Sequence, residues 1–418
     1  MHKIKLFFSV IILSIISHTT LAQNTTNSPY TRYGYGNLAD KAFAAQRGMG
    51  GIGYGVRNPK IINSMNPASY SNVDSMTFML DMGLMGDVSW LEEGNSRERL
   101  TNGGLEYIAM QFPLSKNMGF GAGLEPISHV GYRYGDHTTL NNDDNYANFI
   151  YQGSGGLSQV YGSLSYNILN RLAVGAKVAY LFGDIKHNRT SSFSSSENYT
   201  TAWIDTLRIY GLTYDIGVQY QHPFSKSKNM VVGLVYTPKL KVNGIKKTET
   251  VRYSGSSTMS SDYIVYRDSV FEMPESLGAG ITLNQINKYS VGFDVLFQKW
   301  EDVKFQDKDK EFFNLLKYNA GGEFIPDILS RNYLKQIRYR AGAYYSDSYF
   351  KLKDTGYKEY GLSVGVGLPT VDRRSMINMS LEYSMLRPNN EDLINEQSFR
   401  ITLSYTFNEL WFFKRKVQ

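Results

Sequence analysis

The stretch FEMPESLGAGITLNQINKYSVGFDVLFQKW, Phe271 to Trp300, decides how the rest of the chain is read. From Tyr289 onward, Tyr289, Val291, Phe293, Val295 and Phe297 alternate with Ser290, Gly292, Asp294, Leu296 and Gln298. That period of two belongs to a strand with one greasy and one wet face. A short polar turn, Asn284 to Lys288, joins it to a preceding strand with glycines at Gly278 and Gly280, where a water-soluble sheet usually packs side chains. Trp300 and Phe305 flank the charged run Glu301 to Lys304. They read as an aromatic ring at a membrane interface, and the hairpin as part of a transmembrane barrel with one lipid face and one lumen face.

Five of these residues carry a more specific likeness. Pro274, Gly278, Gly292, Asp294 and Trp300 resemble the hairpin of the FadL-type outer-membrane transporters of hydrophobic compounds. The likeness implies an all-β antiparallel barrel of about 14 strands, with an amino-terminal hatch in its lumen.

Residues 1–22 read as a cleaved export signal: basic Lys3 and Lys5, an apolar core from Leu6 to Ile16, and Thr20-Leu21-Ala22 at the cut. That core is too short to span a bilayer as a helix, and no later apolar run is long enough, so a membrane-embedded chain must cross as a barrel. The chain has no cysteine, which removes disulfides and a lipoprotein anchor. Its formal charge of +6 is too mild to argue for nucleic acid. The 32 tyrosines, 38 glycines and 14% aromatic content suit a barrel, which needs interface aromatics and polar residues on half of each strand.

The strand period is absent from residues 23–75. Glycine and turn chemistry dominates there, in Tyr30 to Gly36, Gly48 to Gly55 and Asn63 to Tyr70. The spacing of Gly48, Gly50 and Gly53 matches a dinucleotide fingerprint only superficially, because no strand precedes it and no helical period follows. Asn66, Pro67 and Ala68, with the run Ala42 to Gly48 upstream, resemble the FadL-type region that folds into the barrel as a hatch. The residues alone also allow an ordinary periplasmic or surface arm.

A barrel is expected over residues 76–407. Its first strand, Thr77 to Trp90, sets Phe78, Leu80, Met82, Leu84, Val88 and Trp90 against Thr77, Asp81, Asp87 and Ser89, and the carboxylates belong in a wet lumen. Short connections such as Asn284 to Lys288 and Thr370 to Arg374 alternate with long polar ones at Gly135 to Asn148, Asn188 to Thr206 and Thr248 to Tyr263. This is the asymmetry of periplasmic turns and external loops. The last strand, Ser398 to Phe407, ends on an aromatic, like the closing strands that barrel-assembly machinery recognises. Residues 408–418 then form an aromatic and basic tail, Trp411, Phe412, Phe413, Lys414, Arg415 and Lys416, suited either to anchoring at the inner interface or to docking a partner.

No metal ligand set or cofactor motif is found. His129, His137, His187 and His222 are not spaced as metal ligands, and no Ser, His and acid grouping points to an enzyme. The resemblance implies an integral outer-membrane protein in contact with outer-membrane lipid, passively taking up hydrophobic small molecules such as long-chain fatty acids. The alternative is a structural barrel within an envelope secretion or outer-membrane assembly complex. A general diffusion porin fits poorly with a hatch.

Overall fold

In a computed structural model, the described residues are 26–94, 96–139, 146–169, 171–193, 200–254, 257–267, 269–306, 311–352, 355–389 and 393–411. The export signal and tail residues Phe412 to Lys416 lie outside them. The wall is a closed antiparallel barrel of 14 strands. They are β1 (Thr77–Glu93), β2 (Ser96–Pro113), β3 (Met118–Thr139), β4 (Tyr146–Ile168), β5 (Leu172–Phe193), β6 (Thr200–Pro223), the bent β7 (Lys228–Thr237 continued by Leu240–Ser254) and the broken β8 (Ser257–Tyr266, Phe271–Met273 and Glu275–Gln285). β9 (Tyr289–Lys299), β10 (Leu315–Phe324), β11 (Arg338–Asp347), β12 (Tyr357–Pro369), β13 (Met376–Pro388) and β14 (Asn395–Leu410) complete it. β14 closes on β1 from Asn395↔Glu92 to Leu410↔Thr77.

Alternation explains each strand's two environments. In β1, Met79, Asp81, Met85, Asp87 and Ser89 are buried toward the lumen, while Met82 and Leu84 are exposed outward. In β9, Gly292 and Asp294 are buried and Val291, Phe293 and Phe297 exposed. The outward apolar side chains form the lipid-facing band. A register slip of one residue would put the carboxylates into hydrocarbon.

The strands rise further than their sequence suggests. Asn188 to Thr206 and Thr248 to Tyr263, expected as external loops, are mostly paired strand: β5 reaches Phe193, β6 begins at Thr200, and β7 pairs with β8 up to Ser254↔Ser257. Gly135 to Asn148 likewise carries the ends of β3 and β4. Polar Ser/Thr-rich segments lack the apolar alternation of a lipid-facing strand, yet above the membrane their backbones gain by pairing all the same. The barrel is therefore tall from β3 to the start of β8 and short from β9 to β13. At the other end, β14 runs past Phe407 to Leu410, and Trp411 donates its N–H to the carbonyl of Met76 and stacks on Phe78.

Trp300 and Phe305 correct the interface expectation. β9 stops at Lys299, and the chain turns inward. Trp300 is only 1% exposed and packs with Tyr35, Phe305, Phe312 and Tyr349 into an aromatic cluster that roofs the lumen. An indole there buries more area against other rings than at the bilayer edge.

Candidate functional site: the hatch and the parted wall

Residues 26–76 precede the first wall strand and fold inside the barrel. They contain only short elements: 3-10 turns at Pro29–Arg32 and Pro67–Ser71, one helical turn at Ala44–Arg47 and a two-residue strand, Asn37–Leu38. Asn66 caps the second 3-10 turn, its Oδ1 accepting from the N–H of Ala68 at 3.0 Å, and Pro67 occupies the first position, where a missing N–H costs nothing.

The singled-out residues of hatch and hairpin meet at Tyr54. Its N–H donates to Asp294 Oδ2 at 2.8 Å, and its carbonyl accepts from Asn66 Nδ2 at 2.9 Å and from Gln219 Nε2 at 3.0 Å. Asp294 also accepts from the N–H of Gly53 at 2.6 Å. The Tyr54 ring lies on Gly278, where a Cβ would come within 2.4 Å of Cζ. Pro67 presses on Gly175 and Gly217 in the same manner, with built Cβ distances of 2.4 and 2.7 Å. Gly292 packs against Ile52 of the hatch. Pro274 interrupts β8 between its two lower segments and lines a cavity described below. Elsewhere, Gly342 faces the Gly50 amide, at a built Cβ distance of 2.2 Å. The hatch therefore touches wall backbone around much of the circumference.

Buried ion pairs reinforce this contact, and the sequence reading did not single them out. Arg47 of the hatch meets Glu106 of β2 at 2.6 Å, both side chains nearly fully buried. Asp40 meets Lys317 of β10 at 2.7 Å. Burial pushes the Asp40 carboxyl up, but Lys317 and Arg47 outweigh it and hold the group below the ordinary carboxylate range. Lys177 of β5 lies 2.8 Å from Asp215 of β6 and 3.4 Å from Glu125 of β3, and hatch Lys41 adds a contact to Asp215. The available signal was parity: Lys177 and Asp215 occupy inward positions among outward apolar neighbours.

The wall itself parts between β2 and β3. The two strands pair only from Ile108↔Leu124 to Pro113↔Gly119, although β2 continues to pair with β1 and β3 with β4 far above that point. The hatch fills the wedge. Asn37 and Leu38 pair with His129 and Ser128 of β3, the Ala39 N–H donates to the Ile127 carbonyl, and Thr31 Oγ1 both donates to the Gly131 carbonyl and accepts from its N–H. On the opposite side Asn27 donates to Asn102 of β2. Beside the wedge β3 bulges at Pro126 to Ser128 and β4 bends at Gly156, where φ of 143° and the Ser128 carbonyl 2.3 Å from a built Cβ require glycine.

A cavity of about 160 Å³ lies between hatch and wall next to this wedge. Leu38, Met65, Ile127, Leu181 and Leu296 line it together with Asp40, Lys41, Asp215 and Lys317. It has room for one ring-sized molecule. His187 Nδ1 bonds the Tyr132 hydroxyl at 2.7 Å and His222 packs on Phe224. Among the described residues no group of three His, Cys, Asp or Glu could hold a metal.

A family model described as BamG matches residues 2–418. The chain belongs to the BamG family. No curated protein matches it. Among solved structures it is similar to a Pseudomonas aeruginosa FadL homologue (13% identity, 89% of this chain and 99% of that chain, TM-score 0.60). It is also similar to the P. putida toluene transporter TodX (16%, 89% and 99%, 0.59) and to the CymD monoaromatic hydrocarbon channel (17%, 90% and 98%, 0.57). This BamG-family chain thus has the FadL-type fold and is an integral outer-membrane protein.

Proposed function

We propose that the protein is a structural barrel subunit of an outer-membrane assembly complex. The observation that carries this reading is a lumen filled by the chain's own charged and aromatic contacts: buried ion pairs from the hatch to β2 and β10, and an aromatic roof around Trp300. The cavity between hatch and wall is lined by six charged side chains, Asp40, Lys41, Asp215, Lys317, Asp347 and Glu359, an unwelcoming surface for a long acyl chain. Trp411 is seated on Phe78 at the periplasmic rim.

A second reading, passive uptake of small hydrophobic compounds, is favoured by the parted β2–β3 wall with a cavity beside it. Relatives of the same fold, named for toluene and monoaromatic hydrocarbons, support it. The experiment that separates the two is purification from the outer membrane in mild detergent, with mass spectrometry of bound proteins and bound small molecules, alongside toluene entry into cells. An assembly subunit brings stoichiometric protein partners and leaves toluene entry unchanged on depletion. A monomer whose depletion slows toluene entry would establish uptake instead.

A further inference from the structure

The upper arm of β8, Ser257–Tyr266, is the open edge of the tall side of the barrel. It pairs with the upper arm of β7 from Ser257↔Ser254 to Tyr266↔Lys246, and among the described residues no strand pairs with its other side. Nine to eleven residues suffice to cross the bilayer as a strand, and the lower segment Glu275–Gln285 already supplies that length. The upper arm therefore stands outside the membrane. Its first half is mostly Ser and Thr, but four large apolar side chains stand on it more than half exposed, Met259, Tyr263, Ile264 and Tyr266, with Val265 beside them. Natural proteins blunt such edges with lysine, proline or a covering segment, and this arm carries a single charge, Asp262.

An edge of unsatisfied backbone groups selects an extended chain, and the surrounding charge selects its sign. Exposed Lys241, Arg252 and Arg267 lie on or beside the two arms without an ion pair among the described residues, while Glu249 is already taken by Lys247. The same excess of positive charge opposes a second copy seated edge to edge. We infer that the upper arm of β8 docks an extended acidic segment of another envelope polypeptide by strand addition. This rests on the assembly-subunit reading and gives it a surface.

The test uses the mature chain in detergent and two labelled ten-residue peptides, one alternating Val and Glu, the other alternating Val and Lys, followed by fluorescence anisotropy. The acidic peptide is expected to bind at least tenfold more tightly, to weaken severalfold between 50 and 300 mM salt, and to lose that preference in Arg252→Glu. Val265→Lys, which blunts the edge without touching the lower barrel, should weaken it tenfold or more, with heat-modifiable migration confirming an intact barrel. Equal binding of both peptides, or none, overturns the inference. So does efficient disulfide dimerisation of Ser261→Cys, since the chain has no other cysteine and such a product means a second copy occupies the edge. If wild-type partners co-purify and Arg252→Glu retains them all, the edge is wrong while the assembly reading stands. If the wild type brings none, the assembly reading itself fails.

Discussion

Replacing Asp294 by Ala should unlock the hatch while leaving the barrel closed. The Asp294 carboxyl accepts two backbone N–H groups, from Gly53 at 2.6 Å and Tyr54 at 2.8 Å, and the acceptor and both donor residues are buried. Alanine leaves two buried donors unsatisfied, at about 1–3 kcal/mol each. If no water reaches them, opening of the Gly48 to Tyr54 loop becomes easier by about 2–6 kcal/mol, a factor of about 30 to 10⁴ in the opening equilibrium. Asp294→Asn keeps an acceptor oxygen and should lose much less. Hydrogen exchange read by mass spectrometry reports opening directly, provided reclosing is faster than exchange. Protection should fall by this factor for peptides covering residues 48–56, while peptides from β1 and β14 stay protected. The cycle with Asn66→Ala adds a sharper criterion. Asn66 holds the carbonyl of the same Tyr54, so the second substitution should cost less in the Asp294→Ala background than alone. Unchanged protection in Asp294→Ala, or strict additivity of the pair, would refute the clamp.

Other perturbations test the neighbouring contacts. Leu80→Arg should hinder barrel assembly by about 2–4 kcal/mol if the position lies near the midplane, whereas Asp81→Asn, on the lumen side and still able to hydrogen-bond Tyr107 and Thr406, should assemble normally; folding yield into vesicles distinguishes them. Arg47→Met strands Glu106 in the lumen and should cost about 3–5 kcal/mol, with the Arg47→Met, Glu106→Met pair milder, measured as urea dependence of hatch proteolysis. Gly217→Val places a Cβ about 2.3 Å from Asn66 Oδ1 and should raise hatch exposure to protease without altering heat-modifiability. The Asp40 contact to Lys317 has a signed pH dependence. Its depressed carboxyl stabilises the docked hatch above the ordinary carboxylate pKa of about 4 and loses that contribution as pH falls through the lowered folded value. Pepsin cleavage of the hatch should accordingly steepen in that acid window for the wild type and show a smaller step in Asp40→Asn.

Much of the wall was legible because strand parity is a local signal. The segment from Tyr289 displays its two faces without help from any partner, and Thr77 to Trp90 does the same, so count, register and lipid face follow from neighbours two residues apart. What failed to show lies where the local signal is weak. Asn188 to Thr206 carries polar residues on both faces, as a strand above the membrane can, and it read as loop. Trp300 beside a charged run looks the same at an interface as at the base of a loop that folds inward. The parting of β2 from β3 is equally silent, because both strands keep their alternation with their other neighbours.

The site was legible in a narrower sense. Asn66, Gly278 and Asp294 were singled out by resemblance, and the structure brings all three to one hatch residue, Tyr54, by an amide capping a turn, a missing side chain and a carboxyl accepting two amides. None of these roles requires a transported molecule. They lodge a segment inside a barrel, and any barrel that carries such a segment benefits from them whatever it does with the lumen. Likeness at these positions therefore reports the fold and not the cargo. Features that bear on function lie elsewhere, in the charged lining of the cavity and in the open strand edge above the membrane. An uptake function has to open the former, and an assembly function has to use the latter.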